Sequence, residues 1–238
     1  MRKLWLSVVV GGSFASLALA ANAASVVVAG TSDPWLAGQP NGTSASLGDG
    51  IGDYAPAQSP VYAGTVTPGN TVTWSATGLV GNGAGEPQFG PNGDTAGTLY
   101  GLLSHGSGAE NGISDINGIG VDALLGVFLG PGVPAGTTPA ALTFGGGGGL
   151  GFTYGSLSPL VDQVFYMGDG SAQDVIVPAG ATRLFLGTMD GFGWDNNTGD
   201  FVVDLQNVVP SVPDAGSTVM LLGSALCLLG GLRRKLIR

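Results

Sequence analysis

The hydrophobic and polar positions divide the chain into two uncharged ends and a body of short strand-like runs. Leu4–Ala20 and Ala215–Leu232 carry no charge, and each is long enough for one apolar helix. Between them, runs such as Val121–Leu129 and Phe201–Leu205 have the length and the β-branched or aromatic content of strands. No helical period occurs outside the ends. The pattern predicts an all-β body between a signal helix and a single transmembrane helix.

The body is predicted to be a jelly roll or β-sandwich with long Gly-rich loops. Pro60–Val66 and Thr71–Ala76 are predicted to pair as a hairpin around the turn Thr67–Asn70, and Thr182–Met189 is a further strand. Glycine accounts for 45 of the 238 residues, including the uninterrupted loop Gly145–Gly149. Many short strands separated by turns are typical of a sandwich.

The N-terminal end has the three parts of a secretory signal. A basic start precedes the uncharged run, and the small residues Ala21 and Ala23 follow it. We therefore predict a signal peptide over residues 1–23, recognised by the secretion translocon and cleaved after Ala23. A loop-rich segment at 24–59 and the sandwich domain at 60–208 follow. The sequence leaves open whether residues 31–59 pack on the sandwich.

The C-terminal end has a Pro-acidic motif, an uncharged run and a basic tail. We predict a sorting region at 209–238, with the motif at 212–216, a transmembrane helix at about 217–232 and the tail at 233–238. Basic residues beyond the helix stay in the cytoplasm, so the body lies outside the membrane. The motif residues are Val212, Pro213, Asp214, Ala215 and Gly216.

This tripartite end resembles the PEP-CTERM family of sorting signals, in its VPDSG-type variant. Val212-Pro213-Asp214 stands where the usual motif has Val-Pro-Glu-Pro. The resemblance implies that an exosortase-type membrane protease processes the chain. The protein is then expected in the cell envelope or outside the cell, held by the C-terminal helix or released from it.

Charge limits the partners of the body. All 16 acidic residues lie between the two ends or at their border, whereas Arg183 is the only basic residue there. The exported part therefore has a net charge of −15, which repels nucleic acid and favours divalent cations. The single cysteine, Cys227, lies in the second uncharged run, so the body has neither a disulfide nor a thiol nucleophile.

Residues 190–200 form the most informative segment. Oxygen-bearing side chains are concentrated in one loop that is too long for a tight hairpin. Calcium takes about six to eight oxygens from carboxylates, side-chain amides and backbone carbonyls. The aromatic rings of Phe192 and Trp194 have faces that suit stacking on sugars. We therefore consider Trp194 and Asp195 as ligand contacts, and a plain Asx-rich connection without a ligand is the alternative.

Three blocks of the body, Val66–Thr73, Phe89–Asp94 and Asp190–Gly199, resemble those of the calcium-dependent galactophilic lectins, a family of small jelly rolls. The resemblance extends over about Val61–Leu205. It implies calcium as a cofactor, an ion that then holds two sugar hydroxyls. By position, the implied calcium ligands are Asp190, Asn196 and Asn197.

Galactose specificity does not follow from this resemblance. The loop is one residue shorter than in the family between its Asp and the Asn pair. The family's sugar-contacting His and Gln fall near Gly97 and Tyr100 here, and neither residue repeats their hydrogen bonds. The ligand, if a sugar, is therefore left as a glycan of the envelope or of extracellular polysaccharide.

An enzyme is not expected. His105 is the only histidine and lies in the Gly-rich segment Ser104–Gly108, without the strand-to-helix turn of a nucleophile elbow. We predict His105 to be a surface loop residue. Carboxylate pairs such as Asp115 and Asp122 have the chemistry of a glycosidase, but nothing in the sequence distinguishes them. Two hypotheses follow: an exported module that binds calcium and a glycan, or an acidic surface or biofilm matrix protein without a discrete ligand.

Overall fold

The computed structural model describes residues 23–45 and 52–210 of the chain. The predicted signal helix, Ala21, the sorting motif at 212–216 and the predicted transmembrane helix lie outside these ranges. Regular structure in the described ranges consists of strands and two single-turn 3-10 helices, Pro34–Leu36 and Trp194–Asn196. Neither of them approaches the length or apolar character that a bilayer span requires.

The strands are short, as expected for a Gly-rich chain with frequent turns. In chain order they are β1 (Ala23–Ala29), β2 (Val61–Thr65), β3 (Thr71–Gly81), β4 (Gln88–Phe89), β5 (Leu103–Ser104), β6 (Ile116–Ile119), β7 (Leu124–Leu129), β8 (Leu142–Thr143), β9 (Gly155–Leu157), β10 (Val164–Tyr166), β11 (Gln173–Ile176), β12 (Arg183–Thr188) and β13 (Thr198–Gln206).

Two main sheets enclose the core. The first has the order β1-β13-β3-β11-β9, with β4 also paired to β3, and the second has the order β10-β7-β12-β2. In β13, Phe201, Val203 and Leu205 are buried while the residues between them are more exposed, the period-two pattern of a half-buried strand. Every residue of the central strand β7 is buried, as in a strand covered on both faces. The prediction of an all-β, sandwich-like body is confirmed.

The predicted hairpin between the second and third strands is wrong. β2 pairs with β12, and β3 pairs with β13 and β11. The turn at 66–70 therefore carries the chain from one sheet to the other. Pairing with distant strands lets each strand place its apolar side chains in the space between the sheets, a gain that a local hairpin would forfeit.

The N-terminal segment belongs to the body. β1 pairs with β13 along its whole length, from Ala23 opposite Gln206 to Ala29 opposite Asp200. Farther along, Trp35 is fully buried, and its indole Nε1 donates to the carbonyl of Ser114 at 2.9 Å. Within the described residues, the segment at 24–59 thus supplies an edge strand and a core tryptophan, which answers the question that the sequence left open.

Candidate cation-binding site

The loop from Met189 to Asn197 connects β12 to β13 and is held in place by Trp194. This side chain is fully buried, and its Nε1 donates to the carbonyl of Thr188 at 2.9 Å. Its backbone amide donates to a carboxylate oxygen of Asp53 at 2.9 Å. A large aromatic ring in the core fixes the loop backbone and leaves the polar residues around it at the end of the sandwich. Trp194 therefore lies in the core, and its ring is not available to stack on a sugar.

Asp190 begins this loop with a carboxylate that is almost completely buried. One oxygen accepts from the amide of Phe192 at 3.0 Å, and the other accepts from Asn82 Nδ2 at 2.7 Å. Burial raises the pKa of Asp190, although these hydrogen bonds and one to Asn197 oppose the shift. The sequence-predicted residues Asp190 and Asn197 are thus brought together, with Asn82 as an additional neighbour.

Asp122 lies close to Asp190 and Asn82. It was not among the residues that the sequence predicted to bind a metal. Its backbone is left-handed, with φ of 66°, and its amide donates to the carbonyl of Met189 at 2.8 Å. The carboxylate is fully buried, and neither oxygen has a hydrogen-bond partner of normal geometry among the described residues. Burial and the charge of Asp190 raise the pKa of Asp122 to about 8. The backbone N–H of Asn82 acts in the opposite direction and lowers this pKa.

Two further buried oxygens of the loop lack hydrogen-bond partners among the described residues. Asn197 is buried and donates through Nδ2 to the carbonyl of Gly30 at 3.1 Å; its Oδ1 is buried without a hydrogen bond in the described structure. The same holds for one oxygen of Asp195, which lies at the rim. Asn196 is exposed. Asp190 and Asn197 therefore lie inside the site, Asp195 lies at its edge, and Asn196 lies outside it.

No basic side chain neutralises this group within the described ranges. Arg183 donates to the carbonyls of Gly130 and Gly132 and lies over the ring of Phe185, near the opposite end of the sandwich. Across the described residues, no three His, Cys, Asp or Glu side chains form a metal-binding group. A cation here would need the two carboxylates of Asp122 and Asp190 together with amide and backbone oxygens.

A cleft of about 390 Å³ opens beside the acidic pair. Asn82 and Asp190 line it together with Leu103, Gly191 and the aromatic residues Tyr100 and Phe192. Tyr100 is 50% exposed and Phe192 is 54% exposed, so both rings present free faces to solvent. The sequence predicted exposed ring faces for Phe192 and Trp194; Phe192 has one, whereas Trp194 is buried and Tyr100 provides the second exposed ring.

His105 is not the surface residue that the sequence predicted. It is 3% exposed and stacks on Trp35, with ring centroids 3.8 Å apart. Its Nδ1 is 2.6 Å from the carbonyl of Gly108, and its Nε2 is 3.9 Å from a carboxylate oxygen of Glu110. Burial lowers the pKa of His105. The imidazole ring packs in the core against Trp35. Its neutral form can be buried at a much smaller cost in free energy than its charged form.

Asp33 adds another buried acid behind the loop. One of its carboxylate oxygens accepts from the amide of Trp35 at 2.8 Å and caps the 3-10 helix that begins at Pro34. Burial raises the pKa of Asp33 well above its usual value, and the charges of Asp53 and Asp190 add to the shift. Acidic residues are therefore concentrated in and behind one end of the sandwich.

The comparisons with known proteins concern the C-terminal end. The VPDSG-CTERM motif matches residues 211–236, directly after the last described residue. The chain is thus an exported protein that carries a C-terminal sorting signal for an exosortase-type membrane enzyme. No curated protein matches the chain.

Proposed function

We propose that the chain is a calcium-binding β-sandwich delivered to the cell surface or the extracellular matrix. The supporting observation is the group of buried oxygens without hydrogen bonds around Asp190. Both oxygens of Asp122 and the Oδ1 of Asn197 belong to it. A buried carboxylate without a partner, such as that of Asp122, costs several kcal/mol, and a divalent cation held between it and the neighbouring carboxylate of Asp190 would offset most of that cost.

Calcium fits this donor set better than other common metals. The oxygens come from carboxylates and a side-chain amide, which are hard ligands. Zinc would require His or Cys ligands, and His105 is turned towards Gly108 and Glu110. In this proposal Asp122, Asp190 and Asn197 bind the ion, Asp195 approaches from the rim, and Asn196 contributes only if the loop closes around the ion.

A glycan is the ligand we propose for the adjacent cleft. Tyr100 and Phe192 are half exposed and line the same cleft as Asn82 and Asp190. Sugars have apolar C–H faces and polar hydroxyl edges, and a cleft lined by aromatic rings and a few polar groups suits both. An envelope or extracellular polysaccharide would be available where the sorting signal delivers the protein.

Thermal unfolding with calcium and with chelator tests the proposed ion site. At free calcium about 100-fold above the dissociation constant, the ion adds about 2.7 kcal/mol, or about 5–10 °C in the melting temperature. Asp122→Asn keeps the shape of the side chain and should abolish this shift. Asp204→Asn, at an exposed position of β13, is the matched control and should retain it.

If calcium leaves the melting temperature of the unaltered protein unchanged, the calcium proposal fails and the acidic matrix protein without a ligand is favoured. Binding to a glycan array then tests the cleft separately. Tyr100→Ala and Phe192→Ala should each reduce glycan binding about tenfold, because an aromatic stacking contact contributes about 1 kcal/mol or more. Equal binding by these variants would contradict the assignment of the cleft.

A further inference from the structure

The two ends of the sandwich differ in a way that bears on how the body meets the membrane. One end, which we call the anchor pole, consists of loops 66–70, 130–141 and 177–182 and residues 207–210. Backbone hydrogen bonds hold these segments together. The amide of Val66 donates to the carbonyl of Thr182, and the amide of Thr182 donates to the carbonyl of Leu129. Thr65 and Val209 form a reciprocal pair, in which the amide of each donates to the carbonyl of the other. The chain therefore leaves the described body at this pole.

Both termini of the body lie at the anchor pole. Ala23 is paired with Gln206, so the predicted cleavage site and the last strand residue are neighbours. Val209 is still bridged to Thr65, and the uncharged run begins only six residues later, at Ala215. Six residues extend to about 21 Å at most. If that run is in the membrane, the anchor pole has to lie close to the bilayer surface.

The charges at this pole are compatible with a bilayer. The four segments that define it contain no Asp or Glu, although the chain has 16 acidic residues. Arg183, the one basic residue of the body, lies beside it and donates to the carbonyls of Gly130 and Gly132. Membranes that carry anionic lipid repel acidic surfaces, and the four segments avoid this cost. The neighbouring loop of Leu160 contains one half-buried acid, Asp162, which lies close enough to Arg183 for the two charges to interact.

The pole also presents apolar side chains to solvent. Val133 is 53% exposed, Val209 is 43% exposed, and Leu160, in the neighbouring loop beside Gly180, is 57% exposed. Isolated apolar residues on a surface are common. Here they coincide with the exit of the chain and with the absence of acids, and such side chains gain free energy in the interfacial region of a bilayer.

We propose that the anchor pole rests on the bilayer surface while the C-terminal segment holds the chain, and that the opposite pole, with Asp122 and Asp190, faces away from the membrane. β13 spans the sandwich from one pole to the other, and its nine residues cover about 27 Å. The candidate site would then meet partners in the surroundings of the cell rather than the lipid beneath it. This proposal depends on the sorting role and not on calcium binding.

Single-cysteine labelling of the full chain in vesicles tests the proposal. The vesicles contain phosphatidylethanolamine with a minority of phosphatidylglycerol and a quencher on the lipid headgroups. Cys227→Ser removes the single cysteine, and a fluorophore is then attached through Val133→Cys or through Leu79→Cys. The two positions are matched, because each is 53% exposed, but Leu79 lies opposite Asp200 at the far end of β13.

We expect roughly threefold more quenching at position 133 than at position 79, because interfacial side chains lie within about 5–10 Å of the headgroups and the far pole lies more than about 20 Å away. Leu160→Asp should reduce the difference, and the calcium-induced shift in melting temperature should not change. Equal quenching at both positions, or more at 79, overturns the proposal. If Val133→Cys fails to fold, Gly132→Cys carries the label, since an added Cβ there meets no atom within 4 Å.

Discussion

The two poles of the sandwich differ in whether their polar groups have partners. At the anchor pole, backbone groups are paired, as between Thr65 and Val209, and the loops contain no acid. At the opposite pole, which we call the site pole, the carboxylates of Asp122 and Asp190 are buried together without a basic partner in the described structure. Proteins seldom bury charge without compensation. In our proposal, the anchor pole stabilises the fold and the site pole binds the ion.

The difference also has a spatial meaning. β13 begins beside the site loop and ends beside the chain exit, so the buried acids and the exit of the chain lie at opposite ends of this strand. Local stability varies within a protein, and binding regions are drawn from its less stable parts. Four predictions test this difference between the poles. They are given in order of expected effect, with the largest first.

Trp194→Ala tests whether the site pole depends on its buried aromatic ring. The side chain is fully buried and hydrogen-bonded through Nε1, so we expect a loss of about 3–5 kcal/mol in the free energy of unfolding. Phe192→Ala, two residues away and 54% exposed, should change it by no more than about 0.5 kcal/mol. Urea unfolding measures both variants, and equal losses would contradict the placement of the two rings.

Gly64→Ala tests the closure of the anchor pole. Gly64 has φ of 146°, and an added Cβ would overlap the carbonyl of Val209, so we expect a loss of about 2–3 kcal/mol. Gly69→Ala is the control: φ is also positive, at 83°, but no atom lies within 4 Å of the added Cβ. It should cost about 1 kcal/mol from backbone strain alone. Denaturant midpoints that coincide for the two variants would show that Val209 is not held against Gly64.

The calcium-free protein should lose stability as the pH rises. The pKa of Asp122 is about 8 in the folded state and about 4 in an unfolded chain. Between these values the native state keeps a proton that the unfolded state has lost, so the free energy of unfolding falls by about 1.4 kcal/mol per pH unit. The raised pKa of Asp190 acts in the same direction.

Urea unfolding in chelator at several pH values measures this slope. Asp122→Asn cannot ionise and should flatten it. Asp204→Asn should leave it unchanged, because Asp204 is exposed. A slope of the same size in Asp122→Asn would mean that other groups control the pH dependence, and the contrast between the poles would then lose its electrostatic basis.

Leu160→Asp should have the smallest effect on stability. The side chain is 57% exposed near the anchor pole, so the free energy of unfolding in the absence of membranes should change by at most about 0.5 kcal/mol. Leu79→Asp, at the site pole and 53% exposed, serves as the counterpart. A large loss for Leu160→Asp would show that this residue packs in the core rather than at the surface.

The sequence predicted the parts of the fold that depend on local pattern. The apolar run at 121–129 contains β7, and the runs at 182–189 and 201–205 correspond to β12 and β13. Apolar runs of this length predict strands, whichever other strands they pair with. The partners themselves were not predictable: β2 and β3 are adjacent in the sequence, but each pairs in a different sheet, because the choice depends on distant strands.

The sequence predicted only those residues of the candidate site that are close to one another along the chain. Asp190 and Asn197 share one loop, so their proximity follows from the sequence. Asp122 is brought to them by the pairing of Leu124 with Thr188, a long-range contact that no local pattern reveals. The available signal was a single carboxylate within an otherwise apolar run. His105 and Trp35 also stack across a large sequence separation, and a Gly-rich segment gives no sign of such burial.

Calcium titration by isothermal calorimetry, in two buffers of different ionisation enthalpy at about pH 7, tests the central claim most directly. Because the pKa of Asp122 is about 8 in the calcium-free protein, the carboxyl is protonated there, and calcium must displace that proton when it binds. We expect saturable binding with release of about one proton per ion, and loss of both in Asp122→Asn. No binding heat, or heats that do not depend on the buffer, would contradict the account.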